Sequence, residues 1–285
     1  LDLNRLYGLP WVAHFSDPWV DNPYNRHDAL TRALNLSLET RVVEAADRLV
    51  FTSEETAQLV MSKYAEGLRH KARVLPHAFD PALFETKAPD AASKITVRYL
   101  GDLYGRRTPK PLVEALRLMT DAQADSLSDV RFELIGPTYD LPLGELKLET
   151  LPEGLVTLRE PVGYLESLAL MAASDGLLVI DAPAEQSVFL PSKLIDYVGA
   201  GRPVLGLTPG GTASRLIREL GGWVADPSDA RAVAKTLGEF LDTLRRRRGE
   251  QNSSPRWGTP EVRRRYEAAT VARAFEDILG ELNAD

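Results

Sequence analysis

Short apolar runs alternate with stretches of helical period along the chain. Runs at residues 11–15, 48–52, 73–75, 95–100, 130–135, 155–158, 176–180 and 203–207 predict strands. Stretches at 29–46, 54–64, 111–119, 164–173, 193–198, 213–220 and 230–247 predict helices. Ser53, followed by Glu54 and Glu55, reads as a helix N-cap with acid in the first turn. Alternation of this kind predicts an α/β fold, with parallel sheets covered by helices on both faces.

Residues 88–93 (Ala-Pro-Asp-Ala-Ala-Ser) are small, polar and proline-bearing, which predicts a linker between a first lobe at 1–90 and a second at 91–258. The first lobe holds too few strands for a full doubly wound sheet. Residues 251–260 predict a loop. Apolar spacing from Val262 through Tyr266 and Phe275 to Leu282 predicts one final helix over 261–282. The basic runs at 245–248 and 263–265 have two readings. One is a helix end favoured by its dipole together with a solvated helix face. The other is a patch that docks on an anionic membrane. The first is favoured.

Composition removes several function classes. Apolar residues make up 44% and charged residues 26%, which excludes a mainly disordered chain. A net charge of −7 argues against a general nucleic-acid binder, whose phosphate contacts need a basic face. With no cysteine, a disulfide framework, Cys-ligated zinc, an iron–sulfur cluster and a Cys nucleophile are all excluded, and a cytoplasmic location fits better than secretion. No apolar run approaches the roughly 20 residues that cross a bilayer, and no signal-peptide pattern opens the chain. The first residue is Leu and the chain starts in mid-pattern, so a fragment is expected.

There is no Gly-Lys dipeptide for a phosphate loop of the Walker type, no Gly-x-Ser-x-Gly elbow and no HExxH among the four histidines. Gly199-Ala200-Gly201 precedes an apolar run instead of following one, so it reads as a helix-ending turn and not as a dinucleotide fingerprint.

The most informative segment runs from Phe189 to Val204 (Phe-Leu-Pro-Ser-Lys-Leu-Ile-Asp-Tyr-Val-Gly-Ala-Gly-Arg-Pro-Val). Ser192 stands where a helix should begin, and the free N–H groups there form an anion site. Lys193 adds a full positive charge at the same end. Asp196, four residues after Ser192, projects from the same side and suits a pair of neutral hydroxyls such as a ribose diol. The plain alternative is a capped helix with a solvated Lys and Asp.

This segment resembles the signature helix of GT-B glycosyltransferases of family 4, whose usual form is Glu-Gly-Phe-Gly…Glu-Ala-Met-Ala-x-Gly-x-Pro-Val, and in particular a branch with a Pro-Ser-Lys-Leu form. Gly201, Pro203 and Val204 match the closing Gly-x-Pro-Val, and Asp196 takes the second Glu, which holds the nucleotide ribose. The first Glu falls on Val188, a departure; Glu185 and Gln186 are nearby. The segment from Tyr99 to Leu116 is similar to the family's Gly-Arg-Leu…Lys-Gly…Leu-x-Glu-Ala. Aligned on Gly101 and Glu114-Ala115, it puts Arg107 on the Lys that contacts the donor diphosphate and Asp102 on the partner Arg, with Arg106 placed to compensate. Leu134-Ile135-Gly136-Pro137 resembles the strand end near the base, and Glu160-Pro161-Val162-Gly163-Tyr164 resembles the loop whose backbone reads the base edge. The segment Leu220–Asp229 resembles the closing strand and turn. Pro10–Trp19 resembles the strand whose end carries a His near the donor sugar; that His falls on Ser16, followed by Asp17, while His14 reads as a packing residue.

The resemblance implies two Rossmann-like lobes with parallel sheets, the C-terminal helix at 261–285 packing back on the first lobe. The first is incomplete, because the family's first strand, Gly-rich turn and several βα units have no counterpart before Leu1. It implies a bacterial transferase of glycan biosynthesis that moves a sugar from a nucleotide-diphosphate sugar to a hydroxyl acceptor, with retention and without a metal or further cofactor. The implied partners are the nucleotide sugar and a glycan or lipid-linked acceptor. Arg107, Lys193 and Asp17 would be catalytic, and Gly101, Arg106, Arg107, Pro161, Val162, Ser192, Lys193 and Asp196 would hold the donor. On the membrane reading of the basic runs, the protein would sit peripherally on the inner membrane face. A second reading is an inactive donor-binding half that needs a partner chain. A third, a nucleotide-sugar epimerase, needs more acids and histidines around the cleft than this chain supplies.

Overall fold

The computed structural model describes residues 2–24, 27–84, 93–139, 141–250 and 256–282, which form two compact units. The first comprises the described residues up to Ala78, with Val188–Leu190 and those from Ala268 on; the second comprises the remainder, from Phe79 to Glu267. The linker read at 88–93 falls, except for Ser93, outside the described residues.

In the first unit, β1 (Val12–Phe15), β2 (Arg48–Phe51) and β3 (Ala72–Val74) form a parallel sheet in that order, with Phe15 beside Phe51 and Phe51 beside Val74. The helices α1 (Asp2–Tyr7), α2 (Ala29–Ala45) and α3 (Glu54–Met61) accompany them. The side chain of Ser53 accepts from the N–H of Thr56, as its sequence position predicted. Strand alternation turns Ala13 and Phe15 into the core and leaves His14 exposed, which corrects its reading as a packing residue. The fully buried Glu39 is satisfied on three sides, accepting from Val20 N–H at 3.0 Å and Tyr64 Oη at 2.7 Å and pairing with Lys63 at 2.7 Å. A buried carboxylate persists only with such partners.

The second unit carries β4 (Ile95–Leu100), β5 (Val130–Ile135), β6 (Val156–Arg159), β7 (Gly176–Ile180), β8 (Gln186–Ser187), β9 (Val204–Leu207), β10 (Gly210–Gly211) and β11 (Trp223–Ala225). Six of these form a parallel sheet in the order β11-β9-β7-β4-β5-β6, and β8 pairs separately with β10. Its helices are α4 (Lys110–Ala122), α5 (Tyr164–Ala172), α6 (Ser192–Ala200), α7 (Thr212–Glu219), α8 (Ala230–Gly249) and α9 (Pro260–Arg264). The predicted α/β class with parallel sheets is what both units show.

Alternation along β4 sorts the two faces of this sheet. Ile95, Val97 and Tyr99 join Leu112 and Leu116 of α4 and Leu237, Phe240 and Leu241 of α8 in one core. Arg98 points the other way, where its Nε lies 2.6 Å from Glu133 of β5 and its Nη1 donates to the Leu170 carbonyl of α5. A charged residue can therefore sit inside a fully buried strand.

From β4 the chain runs outward through β5 and β6, and the later strands β7, β9 and β11 fill the opposite side. The order reverses between β4 and β7, and in open α/β sheets the carboxyl ends flanking that point form the ligand crevice.

The helix read continuously over 261–282 is broken. After α9 the chain turns at 265–267, and α10 (Ala268–Glu281) follows in the first unit. The Tyr266 carbonyl accepts from the Phe79 N–H at 2.9 Å and Glu267 bridges Phe79, so this backbone serves a distant strand-like contact instead of the helix. Thr259 caps α9 and Pro260 starts it, which shortens the loop predicted there; residues 251–255 lie outside the described part. Glu281 of α10 pairs with Arg48 at 2.9 Å and Arg73 at 2.6 Å, on neighbouring strands of the first unit.

Candidate functional site

Two glycines shape the carboxyl ends of β4 and β5. Gly136 follows β5 with φ +143°, and a Cβ there would stand 2.1 Å from the Gly101 carbonyl oxygen. Gly101 follows β4, donates to the Ile135 carbonyl at 2.9 Å, and would place a Cβ 2.8 Å from Tyr99 Oη and 3.0 Å from Lys193 Nζ. Glycine at 136 is what lets these two backbones approach so closely, whereas at Gly101 the nearest atoms are the ends of the Tyr99 and Lys193 side chains.

Helix α6 points its first turn into the same place. Tyr197, fully buried, receives the Leu100 N–H at 3.0 Å and donates to the Leu178 carbonyl at 3.2 Å, which pins the helix to β4 and β7 on either side of the reversal. The helix begins at Ser192 after Pro191, with no side-chain cap, so its leading amides keep the anion-binding capacity of an uncapped N-terminus. It ends at Gly201 with φ +62°, the helix-ending turn that the sequence predicted.

A cavity of about 320 Å³ lies here, walled by Gly101, Gly136, Pro161, Val162, Tyr164 and the α6 residues Ser192, Lys193 and Asp196, among others. Gly101, Pro161, Val162, Ser192, Lys193 and Asp196, all singled out from the sequence, thus meet around one space.

The charges of the site are internally paired. Lys193 Nζ lies 3.6 Å from Asp102, and Tyr139 donates to that same carboxylate at 3.4 Å. Burial holds the Lys193 ammonium below its ordinary pKa, against the pull of Asp102, and the Arg107 cation lowers it further. Arg107 and Lys193 are therefore within electrostatic reach of each other. Burial pushes the Asp196 carboxyl up to about 6, opposed by a hydrogen bond from Tyr164 Oη at 3.3 Å and by Lys193.

Arg107 comes from a tight turn in which Tyr104 and Arg107 exchange both backbone hydrogen bonds around Gly105, at φ +54°. Its guanidinium lies 5.1 Å from the Tyr104 ring centroid and 3.5 Å from Asp181, directly after β7. Arg106 is exposed at the tip of this turn. Asp17 belongs to the first unit, where it and His14 act electrostatically on the half-buried His77. Val188 also belongs to that unit, and its carbonyl accepts from Ser53 Oγ at 2.8 Å and Thr56 Oγ1 at 3.0 Å.

Sequence reasoning passes over Asp181 and Tyr164. For Asp181 a signal is present: an acid immediately after the apolar run 176–180, at the carboxyl end of a buried strand. Tyr164 falls within a segment that resembles the family, but nothing local ties its hydroxyl to Asp196.

No family model matches the chain. It is 26% identical over 227 residues to a D-inositol 3-phosphate glycosyltransferase of Streptomyces scabiei (strain 87.22), a match covering 72% of this chain and 48% of that protein. The chain thus spans about half the length of that relative. Among solved structures, Anabaena Alr3699/HepE in complex with UDP-glucose superposes with a TM-score of 0.71 at 17% identity, over 98% of this chain and 74% of that one. Sucrose-phosphate synthase from Thermosynechococcus elongatus gives a TM-score of 0.71 at 17% identity, over 99% and 70%. These likenesses are of fold, and the fold is that of the GT-B glycosyltransferases.

Proposed function

We propose that the chain is a glycosyltransferase that binds a nucleotide-diphosphate sugar in the cavity at the head of α6 and passes the sugar to a hydroxyl acceptor. The observation that carries this is the convergence of Ser192, Lys193 and Asp196 with the glycine-lined ends of β4 and β5 beside the reversal of strand order. The Streptomyces relative is named as a glycosyltransferase, and HepE is described with UDP-glucose and with UDP, which supports the donor class.

The chemistry asks for charge stabilisation. As the bond from the anomeric carbon to the diphosphate oxygen lengthens, the sugar takes on oxocarbenium character and the diphosphate gathers negative charge. Lys193, Arg107 and the leading amides of α6 would stabilise that charge, and no reorganisation is needed if they are already in place. The acceptor oxygen then bonds the anomeric carbon on the face the diphosphate leaves, and its proton passes to the departing diphosphate oxygen, which has taken the electron pair of the broken bond. Retention and metal independence, which the family resemblance implies, complete the reading. Asp17 would serve the sugar side.

Several cations of the basic runs are held by the protein itself, which counts against a membrane patch, and the buried Arg263 departs from the solvated helix face read for 263–265. Arg245 is engaged by Asp129 at 2.8 Å and Asp242 at 3.1 Å, Arg247 lies over the Trp257 ring, Arg265 pairs with Glu219, and the buried Arg263 donates to the Gly199 carbonyl. No helix among the described residues is long and apolar enough to cross a membrane.

Incubation with UDP-, GDP- and ADP-sugars and a panel of hydroxyl acceptors, followed by mass detection, tests the proposal. Sugar transfer is the expected result. Nucleotide binding with neither transfer nor hydrolysis would favour the second reading, a donor-binding module, which Val188 in the place of the family's first Glu supports.

Asp196 gives a pH signature. The ribose hydroxyls would donate to its ionised carboxylate, and the carboxyl gains its proton as pH falls through about 6. UDP-glucose is the right probe, because both its phosphoryl groups are esterified and lack the second ionisation near pH 6 of a terminal phosphate. Its affinity should weaken by up to about tenfold between pH 7 and pH 5, since one pH unit below a pKa leaves about a tenth of the group ionised. Asp196→Asn should be weak and flat across that range. A flat profile in the unaltered chain would remove Asp196 from ribose binding. Stability moves the other way. Between the ordinary 3.8 and about 6 the folded chain holds a proton that the unfolded chain has lost, so rising pH lowers stability across that window.

A further inference from the structure

The geometry points to Asp181 as the positioning residue for the diphosphate-binding cation, holding Arg107 at the point where the strand order reverses. The inference rests on the donor-binding reading above and extends it to a residue outside the cavity wall.

Asp181 directly follows β7, one of the two strands that flank the reversal, and Gly101 directly follows the other, β4. Its side chain is 1% exposed, and its Oδ1 stands 3.5 Å from Arg107 Nη2. The carboxylate is itself immobilised. Oδ1 accepts from the Ala182 N–H at 2.8 Å, and Oδ2 accepts from Ser187 Oγ at 2.8 Å and Thr208 Oγ1 at 3.4 Å. The Asp181 N–H donates to the Leu207 carbonyl at 2.9 Å. Residues at the ends of β7, β8 and β9 thus fix one acid, and that acid faces one arginine.

Burying a carboxylate is costly unless a cation and donors accompany it. Accepting from the Ala182 N–H and from the Ser187 and Thr208 hydroxyls gives the side chain an architectural part that needs acceptor oxygens but no charge. What the acid adds is a fixed location for a guanidinium that arrives on an exposed turn. That turn alone sets the backbone of Arg107 but leaves its long side chain many rotamers, and Asp181 with the Tyr104 ring selects among them. A guanidinium carries five donors in a rigid fork, so one carboxylate can hold it while it addresses a phosphate. A cation already aimed contributes most as charge develops on the leaving group.

The test is a double-mutant cycle on UDP binding, read by titration calorimetry, with Asp181→Asn, Arg107→Ala and the pair. Asp181→Asn keeps the shape and one acceptor oxygen for the hydroxyls, and removes the charge together with the acceptor of the Ala182 N–H. UDP affinity should fall about tenfold, the scale of one charge-assisted hydrogen bond. On the Arg107→Ala background the same change should cost less than about twofold, because nothing is left to position. Asp181→Glu should recover part of the loss. A purely architectural Asp181 would weaken binding equally with and without Arg107, and that result overturns the inference. So does unchanged affinity in Asp181→Asn, or tighter binding, which would make Asp181 a competitor for Arg107. If Asp181→Asn fails to fold, Ser187→Ala with Thr208→Val loosens the carboxylate without removing it and should lower affinity severalfold; unchanged affinity there counts against the inference in the same way. Absence of UDP, GDP and ADP binding by the unaltered chain would instead overturn the donor reading itself, and the positioning role with it.

Discussion

Replacing Arg107 and Lys193 together with alanine is expected to weaken UDP binding by about a thousandfold, the product of two charge-assisted contacts of roughly 1.5–3 kcal/mol each. The size follows from the charge inventory of the site. Lys193 faces Asp102, Arg107 faces Asp181, and Asp196 acts electrostatically on Lys193. Two cations balance two of three acids in the unaltered chain, and the double variant leaves three acids with neither cation, facing a diphosphate. Each single variant should cost about ten- to a hundredfold by the same scale. The two losses should not sum cleanly, because each cation acts electrostatically on the other. Removing Lys193 relieves its repulsion of Arg107 but frees Asp102, so the single variants also report which acid opposes the ligand more strongly. The measurement is titration of UDP at fixed ionic strength, with the salt dependence recorded, since exposed parts of the site are screened. A double variant that binds UDP within about threefold of the unaltered chain would falsify the placement of the diphosphate at this end of α6.

The parts of the site visible in the sequence are those fixed locally. The runs 95–100, 130–135 and 176–180 carry their own strand signal because both faces of those strands are buried, and the structure keeps their bounds. The start of α6, its lysine and its aspartate one turn on are set by helix geometry within one segment. What sequence pattern could not reach are pairings between distant segments. The Arg107 turn meets Asp181 only because β4 and β7 are neighbours in the sheet, and strand order is not written in either segment. The break at 265–267 depends on a carbonyl claimed by Phe79, so apolar spacing alone runs straight through it. The two-residue strands β8 and β10 are too short to show a period at all. The alternation in β1 is readable, but its apolar character misleads: His14 sits between two buried residues in sequence and faces away from them.

Gly136 offers the sharpest structural test, because its role depends on one backbone crossing and on no ligand. In Gly136→Ala the new Cβ would stand 2.1 Å from the Gly101 carbonyl oxygen, at a φ of +143° that side chains rarely adopt. Neither backbone can give way cheaply. The Gly101 N–H is held by the Ile135 carbonyl at 2.9 Å, and the Gly136 N–H by the Arg159 carbonyl at 3.1 Å. Strain and the lost ladder contacts together should cost about 3–4 kcal/mol, at the upper end of single-site effects. For a unit of this size that corresponds to roughly 10 °C in melting temperature. Whatever fold survives should also bind UDP poorly, because Gly101 carries the cavity wall beside Lys193. Gly238→Ala supplies the opposite sign. Gly238 lies within α8, and a Cβ added there would meet nothing within 4 Å, so alanine should raise stability by about 0.5–1 kcal/mol. Calorimetric melts of the two variants beside the unaltered chain decide between the outcomes: if Gly136→Ala melts where Gly238→Ala does, the turns after β4 and β5 do not cross as described, and the cavity loses the feature that makes room for a diphosphate.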